Sequence, residues 1–169
     1  MKRNFFLYWS LLVAAQILLG TWADFTPLLT LSILPLLIFC LPTKYGTTAA
    51  LFIAFATGFV TDLFSEGPMG LNILALVPVA AVRVSVIRTV FGEDLIIRQE
   101  NFSIRKNGAA KVIFAISLVQ SLFLAVYVFA DGGAARPFLF SLARFIISLA
   151  AGVLLSYLLT DTLTSEERR

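Results

Sequence analysis

Long apolar blocks, separated by short polar or glycine- and proline-containing stretches, dominate the pattern of this 169-residue chain. A helix needs about 20 mostly apolar residues to cross the roughly 30 Å of hydrocarbon in a bilayer. Six blocks come near that length, and they cover residues 5–20, 26–41, 46–64, 69–90, 111–130 and 137–160. The pattern therefore predicts an all-α, polytopic membrane protein with six transmembrane helices in a single domain, residues 1–169.

Turn-forming residues separate the blocks. The strongest signal is the Ser-Glu-Gly-Pro stretch at residues 65–68, between the third and fourth blocks. Pro137 suits the first turn of the sixth helix, where a missing N–H has no cost. The first block has a second interpretation, a cleaved signal peptide after the basic start Met1-Lys2-Arg3, which would leave five spans.

Composition agrees with a membrane location and argues against several functions. Apolar residues make up 59% of the chain and charged residues 14%, which is too few charges to cover a water-facing surface. Histidine is absent and Cys40 is the single cysteine, so the chain lacks the commonest general base and the residues of a thiolate cluster. We therefore expect no enzymatic activity, no metal and no cofactor. The net charge of +3 is small, and we expect no nucleic-acid partner.

Basic residues predict the orientation of the chain. Lys and Arg are enriched in cytoplasmic loops of membrane proteins. With both termini in the cytoplasm, the inner side carries most of them: Lys2, Arg3, Lys44, Arg88, Arg98, Arg105, Lys106, Lys111, Arg168 and Arg169. Arg136 would lie outside. The long connection at residues 91–110 is then cytoplasmic, and it is either a surface that docks a partner or a solvated connector on the headgroups.

Charged residues within the blocks need a partner or a function, because a charge inside a membrane is costly. Ala50, Ala54, Gly58 and Asp62 recur every four residues, so they share the packing face of the third helix. A carboxylate at a helix C-terminus opposes the helix dipole, so Asp62 requires a donor or a cation. Arg144 lies at a comparable depth in the sixth helix, and we expect an Asp62–Arg144 ion pair. The alternatives are that Arg144 reaches the headgroups and that Asp62 lies in water.

Four further polar positions form two pairs, and each pair has two interpretations. Asn72 and Arg83 share a face of the fourth helix and could line a polar cavity, or Arg83 could extend towards the cytoplasmic headgroups. Gln16 and Gln120 lie near the middle of their blocks, where they would hydrogen-bond between helices or bind a ligand.

A two-part motif spans the turn between the third and fourth blocks. Gly58 and Asp62 form a Gly-x-x-x-Asp pattern at the end of one helix, and Pro68, Gly70 and Leu71 form a Pro-x-Gly-Leu pattern at the start of the next. With this motif, residues 58–76 resemble the bacterial rod shape-determining protein MreD family. The resemblance implies that these five residues form the structural and functional motif of the chain.

The resemblance also implies a function. Members of that family are non-enzymatic scaffolds of the cell-wall elongation complex in the bacterial cytoplasmic (inner) membrane, where they support peptidoglycan synthesis and cell shape. The implied direct partner is MreC, and the indirect partners are MreB, RodA and a penicillin-binding transpeptidase, with membrane lipids around the helices.

The family is similar as well to the six-helix substrate-binding subunits of vitamin-uptake transporters. That similarity implies the same fold and an alternative function, the binding of a small molecule. The residues available to line such a pocket are Thr61, Asp62, Glu66, Asn72 and Arg144.

Overall fold

The computed structural model describes residues 2–23, 29–42, 45–65, 67–92, 108–132 and 137–165. These residues form six helices and no strand: α1 (Lys2–Ala23), α2 (Leu34–Phe39), α3 (Thr47–Phe64), α4 (Leu71–Phe91), α5 (Ala109–Gly132) and α6 (Phe138–Ser165). Side chains are described for residues 9–20 of α1 and 138–160 of α6. The predicted all-α class is therefore confirmed for this part of the chain.

Four helices are long and apolar enough to cross a membrane. They are α3 with 18 residues, α4 with 21, α5 with 24 and the stretch Phe138–Thr160 of α6 with 23. At 1.5 Å per residue the shortest, α3, is about 27 Å long, close to the thickness of the hydrocarbon. Helix α1 adds a shorter apolar stretch, Trp9–Gly20. The prediction of a membrane protein is confirmed at this level.

The second predicted block is not a continuous helix, which corrects the expected span at residues 26–41. Residues 29–33 are non-helical, and the helix that follows, α2, has only 6 residues. Six residues cover about 9 Å, which is less than a third of the hydrocarbon thickness. We call residues 29–41 the central segment. Hydropathy alone could not distinguish it from a span, because both are predominantly apolar.

The central segment lies inside the bundle. Helices α3, α4, α5 and α6 pack side by side in chain order, and α2 packs against α1, α3, α4 and α5. Every residue of α2 is buried. Its Leu34, Leu37 and Ile38 join the larger apolar core, while Leu36 packs with Val112 and Ile116 of α5. Because α2 is enclosed by other helices, none of its six residues is polar.

The outer surface of the bundle carries large apolar side chains, as a lipid-facing surface requires. Exposed examples occur on all four long helices, and they include Phe52 and Phe55 of α3, Leu74 of α4, Phe114 of α5 and Leu154 of α6. Many polar side chains of the spanning helices face the interior of the bundle instead, and several are almost fully buried. The candidate sites are therefore inside the bundle.

Candidate functional site

The carboxylate of Asp62 caps the N-terminus of α4. Its Oδ2 accepts hydrogen bonds from the backbone N–H groups of Gly70 (3.1 Å) and Ile73 (3.3 Å). Its Oδ1 accepts from the backbone N–H of Asn72 (3.1 Å) and from the Asn72 side-chain Nδ2 (2.8 Å). The first N–H groups of a helix have no partner within that helix, and the helix dipole attracts a negative charge there. Asp62 is 3% exposed, so these four bonds replace its contacts with water.

Gly58 lets α4 come close enough for this cap to form. A Cβ placed on Gly58 would lie 2.8 Å from both Cα and N of Ile73, and 3.1 Å from the carbonyl carbon of Asn72. These are backbone atoms, which cannot rotate away. Asp62 follows Gly58 by one helical turn on the same face of α3, so the missing side chain brings the α4 N-terminus within reach of the carboxylate.

Gly70 has a separate role at the same place. It is the N-cap residue of α4 and has a left-handed conformation, with φ of 91°. An N-cap usually supplies its own oxygen acceptor, but glycine has no side chain and no side-chain cap bond forms there. The acceptor therefore comes from α3, eight residues earlier. Leu71 is buried, and its N–H donates to the carbonyl oxygen of Pro68 (3.3 Å), which closes the turn.

We call this group of residues the α3–α4 junction: Gly58, Asp62, Pro68, Gly70, Leu71, Asn72 and Ile73. All five positions of the sequence motif lie in it. Each of three positions has a distinct physical role: Gly58 permits the approach, Asp62 supplies the cap, and Gly70 turns the chain.

The predicted ion pair between Asp62 and Arg144 is not present. Arg144 lies instead against Asp131 at the end of α5, with Nη1 2.5 Å from Asp131 Oδ2. Its Nε donates to Thr30 Oγ1 (2.8 Å). Asp62 did need hydrogen-bond donors, as expected, but the α4 N-terminus supplies them at far lower cost than a second buried charge.

A second polar cluster holds the non-helical part of the central segment. Residues outside a helix leave their backbone groups unpaired, and lipid offers no replacement partners. The side chain of Gln16 in α1 supplies two: Nε2 donates to the Leu31 carbonyl oxygen (3.1 Å), and Oε1 accepts from the Ile33 N–H (2.6 Å). The side-chain amide of Gln16 thus pairs with the backbone of the central segment in the way that the backbone of a neighbouring strand would.

Helices α5 and α6 complete this arrangement. Gln120 Nε2 donates to the Ser32 carbonyl oxygen (3.1 Å), and the N–H of Thr30 donates to Ser148 Oγ (2.8 Å). Gln16 and Gln120 were expected to hydrogen-bond between helices or to bind a ligand, and both instead bond the backbone of the non-helical residues 31–33. Gln120 is the twelfth of the 24 residues of α5, so the break lies near the middle of the bundle.

Arg83 holds the other end of the central segment. Its Nε donates to the Phe39 carbonyl oxygen (3.2 Å), and its Nη2 donates to the Leu41 carbonyl oxygen. These carbonyl groups lie at the C-terminus of α2, where the negative end of the helix dipole favours a cation. Arg83 is 1% exposed, so it neither extends to the headgroups nor faces a solvated cavity.

The proposed polar cavity of Asn72 and Arg83 is therefore corrected. Eleven residues of α4 separate the two, which is about 16 Å along the helix axis. Asn72 belongs to the α3–α4 junction, and Arg83 belongs to the central segment. Each side chain is already hydrogen-bonded to protein, so the shared face of α4 does not form one site.

These two clusters are built from neutral and charged hydrogen-bonding groups. They contain hydrogen-bond donors, acceptors and one ion pair, and the described residues contain no group of three or more Cys, Asp or Glu side chains that could hold a metal. Most of the connection at residues 91–110, Glu66 and Arg136 lie outside the described residues. Comparison of the chain with protein-family models, curated proteins and solved structures gives no match.

Sequence reasoning missed the role of Thr30, Asp131 and the break at residues 29–33. A Thr within an apolar block is common in membrane helices and gives little signal. One signal did exist. The apolar blocks contain more hydrogen-bond donors than a bundle of unbroken helices requires: Gln16, Arg83, Gln120 and Arg144. Unbroken helices satisfy their own backbone, so a surplus of buried donors indicates a segment that does not.

Proposed function

We propose that this chain is a non-enzymatic scaffold in the bacterial cytoplasmic membrane, similar to the MreD family, that binds MreC in the cell-wall elongation complex. Through MreC it would act with MreB, RodA and a penicillin-binding transpeptidase in peptidoglycan synthesis and cell shape. In this proposal both termini are cytoplasmic. Helix α1 and the central segment count as the first two of six membrane passages, the second of them broken.

The observation that carries the proposal is the α3–α4 junction. The motif that resembles the MreD family occupies one hydrogen-bonded joint, where the cap of Asp62 and the contact of Gly58 fix how two spanning helices meet. A rigid joint of this kind suits a protein whose task is to present a helix face to another membrane protein. Preorganised surfaces bind more tightly because less freedom is lost on association.

One observation favours the alternative, a small-molecule-binding subunit of a vitamin-uptake-type transporter. Discontinuous membrane segments often form substrate sites in transporters, because their free backbone groups bind the substrate. Here one backbone group of each of the residues Thr30, Leu31, Ser32 and Ile33 is bonded to a side chain of the protein. Because those groups are already occupied, we favour the scaffold.

The test is co-purification from gently solubilised bacterial membranes, with the tagged chain as bait and mass spectrometry as the readout. We expect MreC and cell-wall elongation enzymes to be recovered. Recovery of an ATPase pair with a coupling subunit, without wall-synthesis proteins, would contradict the scaffold and support the transporter alternative.

A matched pair of variants links that result to the junction. Gly58→Ala places a methyl group against the α4 backbone, whereas a Cβ on Gly20 of α1 meets nothing within 4 Å. We expect Gly58→Ala to reduce MreC recovery at equal membrane abundance, and Gly20→Ala to leave it unchanged. If both variants recover MreC as well as the unmodified protein does, the junction does not determine partner binding.

A further inference from the structure

Two buried polar atoms at the break in the central segment lack a hydrogen-bond partner among the described residues. Within the described residues, Ser32 Oγ and Gln120 Oε1 accept or donate no hydrogen bond. Ser32 is 3% exposed and Gln120 is 1% exposed, so bulk water does not reach either residue from the surface. Buried side-chain polar atoms are nearly always paired, so two unpaired atoms in one place point to a missing partner.

The two atoms belong to residues that are in direct contact. Gln120 Nε2 donates to the Ser32 carbonyl oxygen (3.1 Å), which joins the two residues directly. This bond also fixes the orientation of the amide, because turning it over would place Oε1 against another carbonyl oxygen. Gln120 Oε1 is therefore an acceptor that still needs a donor, and the Ser32 hydroxyl can donate or accept.

Helix α6 packs against the Gln120 amide at Gly152. A Cβ on Gly152 would lie 2.5 Å from Gln120 Nε2, so the amide packs directly on the α6 backbone. The Gln120 side chain has little room to swing towards α6 in search of another partner. Both unpaired groups are neutral, which favours a small neutral molecule over an ion.

We propose that Ser32 and Gln120 bind one internal water molecule at the break. The water donates a hydrogen bond to Gln120 Oε1 and exchanges a second with the Ser32 hydroxyl. Buried waters typically bridge polar groups that the protein leaves unpaired, and ordered water is one way in which a broken membrane segment satisfies its polar groups. The water would thus join Gln16, Gln120, Ser148 and Arg144 in holding residues 29–33.

The first test is thermal unfolding of Ser32→Ala in lipid nanodiscs. If the hydroxyl bonds a water, its removal lowers the melting temperature by about 2–4 °C, as expected for the loss of one hydrogen bond in a protein of this size. If the hydroxyl is truly unpaired, its removal leaves the melting temperature unchanged or raises it, which would overturn the proposal.

Two other serines calibrate that measurement. Ser148→Ala removes an acceptor whose donor, the Thr30 N–H, is known, and it sets the size of a real loss. Ser117→Ala removes a hydroxyl that donates to a carbonyl oxygen of its own helix, and it shows how small the decrease in melting temperature is when such a local bond is lost. We expect Ser32→Ala to resemble Ser148→Ala rather than Ser117→Ala.

A high-resolution cryo-EM or crystal map of the unmodified protein tests for the water molecule without any variant. A density peak within hydrogen-bonding distance of both Ser32 Oγ and Gln120 Oε1 is the expected result. A map in which the Ser32 hydroxyl bonds a protein atom directly, without a peak beside Gln120, would overturn the proposal even if Ser32→Ala lowers the melting temperature.

Discussion

The α3–α4 junction and the central segment solve the same problem in different ways. Both must satisfy backbone groups that a helix end or a break leaves unpaired inside a membrane protein. The junction uses Asp62, whose partners lie 8 to 11 residues further along the chain. The central segment uses side chains from α1, α4, α5 and α6, and the separations reach 118 residues. One solution is local in sequence, whereas the other exists only after the bundle has assembled.

This difference determines where each region is vulnerable. The junction concentrates four hydrogen bonds on one carboxylate and depends on close backbone contact at one glycine. The central segment distributes its bonds over several side chains, so most single losses leave the others in place. Arg83 is the exception, because it alone among the described side chains bonds both the Phe39 and the Leu41 carbonyl oxygens.

The largest effect should come from Arg83→Met. The substitution keeps an apolar stem of similar length but removes the donors to the Phe39 and Leu41 carbonyl oxygens, and a hydrogen bond from a charged group contributes about 1.5–3 kcal/mol. We expect a loss of about 3 kcal/mol in unfolding free energy, measured by thermal or denaturant unfolding in detergent. Lys111→Met at an exposed position of α5 is the control. Equal stability of the two variants would show that Arg83 does not hold the central segment.

Gly58→Ala should be the next most harmful. Overpacking a tight interior costs about 1–3 kcal/mol, and here the obstructing atoms belong to the backbone of Ile73. Gly152→Ala sharpens the comparison, because its Cβ meets the side chain of Gln120, which can shift. We expect Gly152→Ala to lose less stability than Gly58→Ala in the same unfolding assay. A larger loss of stability in Gly152→Ala than in Gly58→Ala would show that the contact between Gly152 and Gln120 is the less tolerant of the two.

Asp62→Asn tests the cap and the corrected ion pair together. An amide keeps one acceptor oxygen but loses the charge and two accepted bonds, so we expect a loss of about 1.5–3 kcal/mol. In double-mutant cycles, Arg144→Met should be additive with Asp62→Asn and coupled with Asp131→Asn. Coupling between Arg144 and Asp62 would instead support the Asp62–Arg144 ion pair that was predicted from the sequence.

Gly70→Ala should have the smallest effect at the junction. A residue with a Cβ in the left-handed region costs about 1–2 kcal/mol, and space is not the cause, because a Cβ there meets nothing within 4 Å. Asn tolerates this conformation better than Ala does, so Gly70→Asn should recover part of the loss. If Asn is no better than Ala, backbone conformation is not what requires glycine at this position.

The sequence predicted the junction better than it predicted the central segment, for the same physical reason. The resemblance grouped Gly58, Asp62 and Gly70, which lie within 13 residues, although the expected partner of Asp62 was Arg144 rather than the α4 N-terminus. The break at residues 29–33 leaves no local signal, because an apolar segment inside a bundle looks like a span. Arg144 could be recognised as needing a partner, but Asp131 and Thr30 become its partners only through the packing of α5, α6 and the central segment.

Residues 29–33 are non-helical in the middle of the bundle and are held there by side chains of the helices around them. Backbone carbon chemical shifts of the isotope-labelled protein in nanodiscs test this most directly. We expect residues 29–32 to show non-helical shifts, residues 34–39 to show helical ones, and residues 47–64 of α3 to serve as the internal helical reference. Continuous helical shifts through residues 29–39 would contradict the account.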